Sequence, residues 1–81
     1  MIKINKVISL YCRLGTSDKT YKMTILEVEP DRFQVEVEHG PRGKKQTRYR
    51  KPSVPTTLGW TVDFYEEMLH KKLRKGYVEH Y

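Results

Sequence analysis

Residues 32–38 read RFQVEVE. Phe33, Val35 and Val37 alternate with Arg32, Gln34, Glu36 and Glu38. A strict period of two predicts a half-buried antiparallel strand. Two further extended segments precede it. Val7 to Leu14 alternates in part and ends at the turn-rich cluster Gly15-Thr16-Ser17-Asp18. Tyr21 to Glu29 places Tyr21, Met23 and Ile25 on one side. Between this segment and the third strand, Glu29-Pro30-Asp31 makes a tight turn, because Pro presets the backbone angle and Asp can cap it. After His39, the residues Gly40-Pro41-Arg42-Gly43 stop the strand and reverse the chain. Lys44 to Arg50 then returns as a basic fourth strand at a sheet edge, where charge is tolerated. Lys51 to Thr57, KPSVPTT, has two prolines and no period, so a crossing loop is expected there. Residues 1–6 show no strong pattern and are expected to form a loose arm.

The period changes to that of a helix from about Leu58 to Lys75. Thr57 suits the N-cap and Gly76 the C-terminal stop. Asp63, Glu66 and Glu67 lie towards the front, while Lys71, Lys72, Arg74 and Lys75 crowd the end, as the helix dipole favours. Leu58, Val62, Tyr65, Leu69 and Leu73 form one apolar stripe, and Trp60, Phe64 and Met68 form a second beside it. The combined arc exceeds what one sheet needs to cover. Either the arm or the proline-rich segment covers the second stripe, or Trp60, Phe64 and Met68 form a protein-interaction or homodimer face. The expected fold class is therefore α+β. A twisted antiparallel sheet of about four strands carries one C-terminal helix packed across it, all in a single domain over residues 1–81.

Composition narrows the function classes. The 81 residues carry a formal net charge of +6, which points to polyanionic partners. The lone Cys12 excludes an internal disulfide and zinc ribbons. Its neighbours Leu10 and Leu14 share its side of a strand, so it is expected in the core. No apolar run approaches the ~18 residues of a membrane span. A cytoplasmic location without membrane contact is the expectation.

No catalytic constellation is visible, and no enzyme activity is expected. His39, His70 and His80 lack metal-ligand spacing with one another or with Cys12 or a carboxylate. Glu36 and Glu38 share the solvent side of a strand and read as a solubilising edge. Gly15-Thr16-Ser17 reads as a turn rather than a phosphate cradle. No cofactor and no small-molecule substrate are implied.

The remaining chemistry is in Arg42 to Lys51, with six basic residues and no acidic one. Lys and Arg side chains neutralise phosphates and release counterions. Tyr49, between Arg48 and Arg50, is a stacking candidate only if it does not face the core.

The order of motifs resembles that of the WGR domain family. Ser17-Asp18-Lys19-Thr20-Tyr21 is similar to the family's S-N-K-x-Y/W opening. Val35 to Gly43, VEVEHGPRG, is similar to the strand and turn that carry the name motif. Lys72 to Tyr77, KLRKGY, is similar to the K-L-x-K-G-Y close of bacterial members. Thr47, Lys51, Pro52 and Val54 stand where those members often place a basic, proline-containing crossing. Of the name motif itself, Gly40 matches, while His39 replaces Trp and Pro41 replaces Arg. The resemblance implies the same α+β fold and binding of nucleic acid, since in poly(ADP-ribose) polymerases this domain binds DNA near strand breaks. Arg42 or Lys44 would have to substitute for the missing Arg. The expected contacts to phosphate or sugar of duplex DNA or its ends are His39, Gly40, Arg42, Lys44, Lys45 and Arg48, with Arg50 and Lys51 in support. No base reading is expected.

Overall fold

The computed structural model describes residues 2–15 and 17–79. Five strands form one antiparallel sheet in the order β4-β3-β2-β1-β5. They are β1 (Lys3–Leu14), β2 (Ser17–Glu29), β3 (Arg32–Pro41), β4 (Thr47–Thr56) and β5 (Val78–Glu79), with helix α1 (Leu58–Arg74) between β4 and β5. The molecule is elongated, 43 × 24 × 22 Å. The first four strands form a meander because tight turns join them. At the β2–β3 turn, Asp31 takes a φ of 60°, and its backbone N–H donates to Glu27 Oε2 at 3.1 Å. Asp tolerates that left-handed geometry better than most residues.

One face of the sheet is the core. Leu10, Tyr21, Met23, Ile25, Phe33, Val35 and Val37 pack there against Tyr65 of α1. Cys12 is also buried. The core-facing members are those the alternation of β2 and β3 predicts, and Thr24, Leu26 and Gln34 are buried as well, on the other face. The helix packs differently from its two apolar stripes. Its most deeply buried residues are Thr61 at 0% exposure, between the stripes, and Tyr65 at 1%, on the inner edge of the first stripe. Thr61 is tolerated there because its hydroxyl donates to the Leu58 carbonyl at 2.7 Å, leaving its methyl for the core. Leu58 and Leu73 lie on the rim and are exposed, while Phe64, Met68, Val62 and Leu69 lean on the core from the two sides.

The helix ends are as expected. Thr57 Oγ1 accepts from the Trp60 backbone N–H at 3.3 Å. At the other end the Gly76 N–H donates to the Leu73 carbonyl at 3.2 Å, and the Tyr77 N–H to the Lys72 carbonyl at 3.1 Å. These are the two bonds of a Schellman close, and Gly76 supplies the φ of 101° that it needs. The chain then turns back, and Val78 and Glu79 pair with Tyr11 and Leu10 as the short β5.

Two expectations are corrected. Lys3 to Lys6 are not a loose arm. Lys3, Ile4 and Lys6 pair with Glu27, Leu26 and Ile25 across a bulge, extending β1 along the far end of β2. The fourth strand begins at Thr47 rather than Lys44 and runs through the expected crossing loop to Thr56. Val35 faces Lys51 and Phe33 faces Thr56, so two steps along β3 correspond to five along β4. The surplus residues bow out as a bulge, which suits Pro52 and Pro55 because neither has an N–H to offer the ladder. The buried Gln34 side chain fills the gap, donating from Nε2 to the carbonyls of Pro52 at 2.8 Å and Ser53 at 3.4 Å. No described helix is long and apolar enough to cross a membrane.

Candidate nucleic-acid interface

The start of β2, the end of β3 and the end of α1 meet at one corner of the core face. Tyr21, at the end of the core, and Lys19 beyond it continue the line of Met23 and Ile25. Tyr21 pairs with His39, Lys19 with Pro41, and His39 with Thr47. The Schellman turn brings Tyr77 back over the sheet, where its ring meets Tyr21 edge-on at 6.2 Å. Together Lys19, Thr20, Tyr21, His39, Gly40, Pro41, Thr47, Lys72 and Tyr77 line a concave site of about 440 Å³. His39 stacks on Tyr21 with ring centres 5.8 Å apart and an interplanar angle of 28°.

This site is electropositive. Lys72 Nζ lies 4.5 Å from the Tyr21 ring centre and 5.5 Å from that of Tyr77, within cation–π range. Burial lowers the Lys72 pKa, and the nearby charges of Lys75 and Lys19 lower it further. Among the described residues, Lys19, Lys72 and Lys75 form no ion pair. The charges of Lys19 and Lys75 thus act on Lys72, and among the described residues no carboxylate is paired to any of the three. Burial also raises the phenol pKa of Tyr21 and of Tyr77, so both rings stay neutral and keep the π-face that attracts cations.

The basic stretch after His39 divides between two faces. His39 and Gly40 line the concave site. Gly40 adopts a φ of 153°, and a Cβ there would meet the Gln46 side chain at 3.4 Å. That amide organises the turn: Nε2 donates to the carbonyls of Pro41 at 2.7 Å and Lys44 at 3.0 Å, while Oε1 accepts from Thr20 Oγ1 at 3.1 Å. Arg42 leaves the site. Its backbone N–H donates to the Asp18 carbonyl at 2.8 Å, and its guanidinium lies 5.2 Å from the Tyr11 ring centre. Tyr11 alternates with the buried Leu10 and Cys12, so Arg42 reaches the sheet face opposite the helix. Lys44 and Lys45 are exposed in the turn, and Lys51 is exposed opposite Val35 at the start of the bulge.

Arg48 and Arg50 also belong to the open face, opposite Glu38 and Glu36 in the ladder. Arg48 Nη2 donates to Glu38 Oε2 at 2.6 Å, and Arg50 Nε donates to Glu36 Oε2 at 3.0 Å. The hydrogen bond to Glu38, then the charges of Glu38 and Glu36, raise the Arg48 pKa. Both guanidinium charges are therefore locally matched. Tyr49 faces the core side and meets His39 edge-on at 6.0 Å, so it is no free stacking platform.

Lys19, Lys72 and Tyr77 were not among the expected contacts. Their signal was present: Lys19 extends the core-facing alternation of β2, and Lys72 lies seven residues after Tyr65, on the buried line of α1. A lysine at the end of an apolar line snorkels to the rim of the core. Among the described residues, no group of three or more His, Cys, Asp or Glu side chains is placed to hold a metal. His80, and Thr16 of the Gly15-Thr16-Ser17 turn, lie outside the described residues. No protein-family model, no curated protein and no solved structure matches the chain.

Proposed function

We propose that this is a WGR-like domain that binds nucleic acid, duplex DNA or its ends, through backbone contacts at the concave site. The observation that carries the reading is that Lys19 and Lys72 line one concave site with His39 and Tyr77, with Lys75 close enough to act on Lys72, and that among the described residues no carboxylate is paired to these lysines. In this reading the lysines neutralise successive phosphates, and the His39 and Tyr77 rings pack against sugars. The turn from Gly40 to Lys45 lengthens the basic track. Lys51 is a more distant contributor, and Arg48 and Arg50 shape the field from the opposite face. Support also comes from the three stretches that resemble the WGR family. They are far apart in sequence, and each supplies residues to this one site: Lys19 and Tyr21, His39 and Gly40, and Lys72 and Tyr77.

A fluorescence anisotropy titration of a labelled duplex tests the proposal. Binding should weaken steeply between about 50 and 200 mM salt, and Lys19→Glu/Lys72→Glu should abolish it. Absence of wild-type binding at the lower salt would refute it.

A further inference from the structure

A second feature of α1 has the opposite electrostatic sign. Trp60 and Phe64 stack almost parallel, with ring centres 5.5 Å apart and an interplanar angle of 9°. Asp63 and Glu67 complete a shallow hollow of about 230 Å³ beside them. The spacing i, i+3, i+4, i+7 puts all four on one flank of the helix. Phe64 leans on the core, so the stack is anchored from below. Trp60 is 43% exposed, so an indole of large apolar area is held in place without a partner covering it.

Aromatic faces attract cations, and two carboxylates at their edge add hydrogen-bond acceptors. We propose that this flank is a docking site for a basic segment of a partner protein, anchored by one arginine side chain. The guanidinium plane lies on the Trp60 indole while its N–H groups donate to the carboxylates of Asp63 and Glu67. Arginine fits better than lysine because it is planar, stacks, and presents several donors in a fixed fork. Glu67 currently meets Lys71 Nζ at 3.4 Å. Both side chains are more than half exposed, and a surface pair of that kind yields readily to a better partner. Phosphates are excluded by the same carboxylates, so this surface is distinct from the nucleic-acid site. A second copy of the chain is a poorer occupant, because two chains of net charge +6 repel each other, and three of its six arginines, Arg42, Arg48 and Arg50, are already engaged by Tyr11, Glu38 and Glu36.

Trp60 is the sole tryptophan, so its emission reports the site directly. The full chain is titrated with a blocked Gly-Arg-Gly-Arg-Gly peptide and with versions carrying Lys or Gln in place of Arg. The expected result is a saturable change with the Arg peptide, a weaker one with Lys and none with Gln. Asp63→Asn/Glu67→Gln should weaken the Arg peptide by about tenfold or more, as expected for losing charged hydrogen-bond acceptors. An unchanged circular dichroism spectrum and urea midpoint in that variant show that its fold is intact. No saturable response to the Arg peptide, an equal response to the Gln peptide, or full binding by the variant overturns the proposal. A concentration-dependent dimer in light scattering that the variant loses would also overturn it, in favour of a second copy.

Discussion

The division of the basic segment between two faces can be tested with variants matched in charge. Lys19→Gln/Lys72→Gln and Arg48→Gln/Arg50→Gln each remove two positive charges, so they change the long-range field alike and differ in where the charge was. Each phosphate neutralised contributes about 0.9 to the slope of log affinity against log salt, so losing two contacts should flatten the slope by about 1.8. Over the fourfold rise from about 50 to 200 mM salt, wild type should then lose roughly twelvefold more affinity than the lysine variant. The arginine variant should keep the wild-type slope. Arg48 is already 2.6 Å from Glu38, and Arg50 is 3.0 Å from Glu36; to reach a phosphate, either would have to leave its carboxylate bare beside it. Anisotropy of a labelled duplex across a salt series gives all three slopes, and thermal melts show whether each protein is folded. If the arginine variant flattens the slope by about 1.8 and the lysine variant does not, the ion pairs do not remove those charges and the concave site is not the interface.

Two stability predictions follow from the fold. Burial, the leading cause in each case, raises the phenol pKa of Tyr21, Tyr65 and Tyr77 above 10.0. The unfolded chain therefore releases these protons first. Stability is fully present below pH 10.0 and falls as pH rises through that value. Urea midpoints should drop between about pH 9 and pH 11, and Tyr21→Phe should make the drop smaller; a midpoint unchanged over that window would contradict the burial of these rings. Gln34→Ala removes the amide that satisfies the bulge carbonyls and should cost about 1–3 kcal/mol in urea denaturation. Hydrogen exchange should quicken first along β4, and equal quickening in all strands would show that the amide does not hold the bulge locally.

Elements whose signals are local could be read along the chain. The alternation of Phe33, Val35 and Val37 specified β3 and its buried face, because the side-chain period of a strand is two. Thr57 and Gly76 set the limits of α1, because a cap and a left-handed stop act within one turn. Tyr21, Met23 and Ile25 on the core face of β2, and His39 and Gly40 in the site, were legible from local signals too, whereas the burial of Thr24 and Leu26 on the other face was not. Other features depend on partners distant in the chain. Lys3 to Lys6 have no strong pattern, and only the far end of β2 makes them a strand. The proline-rich segment looked like a loop until Gln34 supplied bonds that the prolines cannot. Thr61 belongs to neither apolar stripe, yet it is buried, because a carbonyl one turn away takes its hydroxyl.

Tertiary structure also decided where the charge is available. Along the chain, Arg42 to Lys51 is one continuous basic run. In the sheet, pairing with β3 places Arg48 and Arg50 against Glu38 and Glu36, and the turn sends Arg42 to the opposite face. Lys19 and Lys72, fifty-three residues apart in the numbering, end up at one corner, where among the described residues no carboxylate pairs with either. Composition records the net charge of +6, but strand pairing and the return of the chain after Gly76 determine which of those charges remain free to meet an anion.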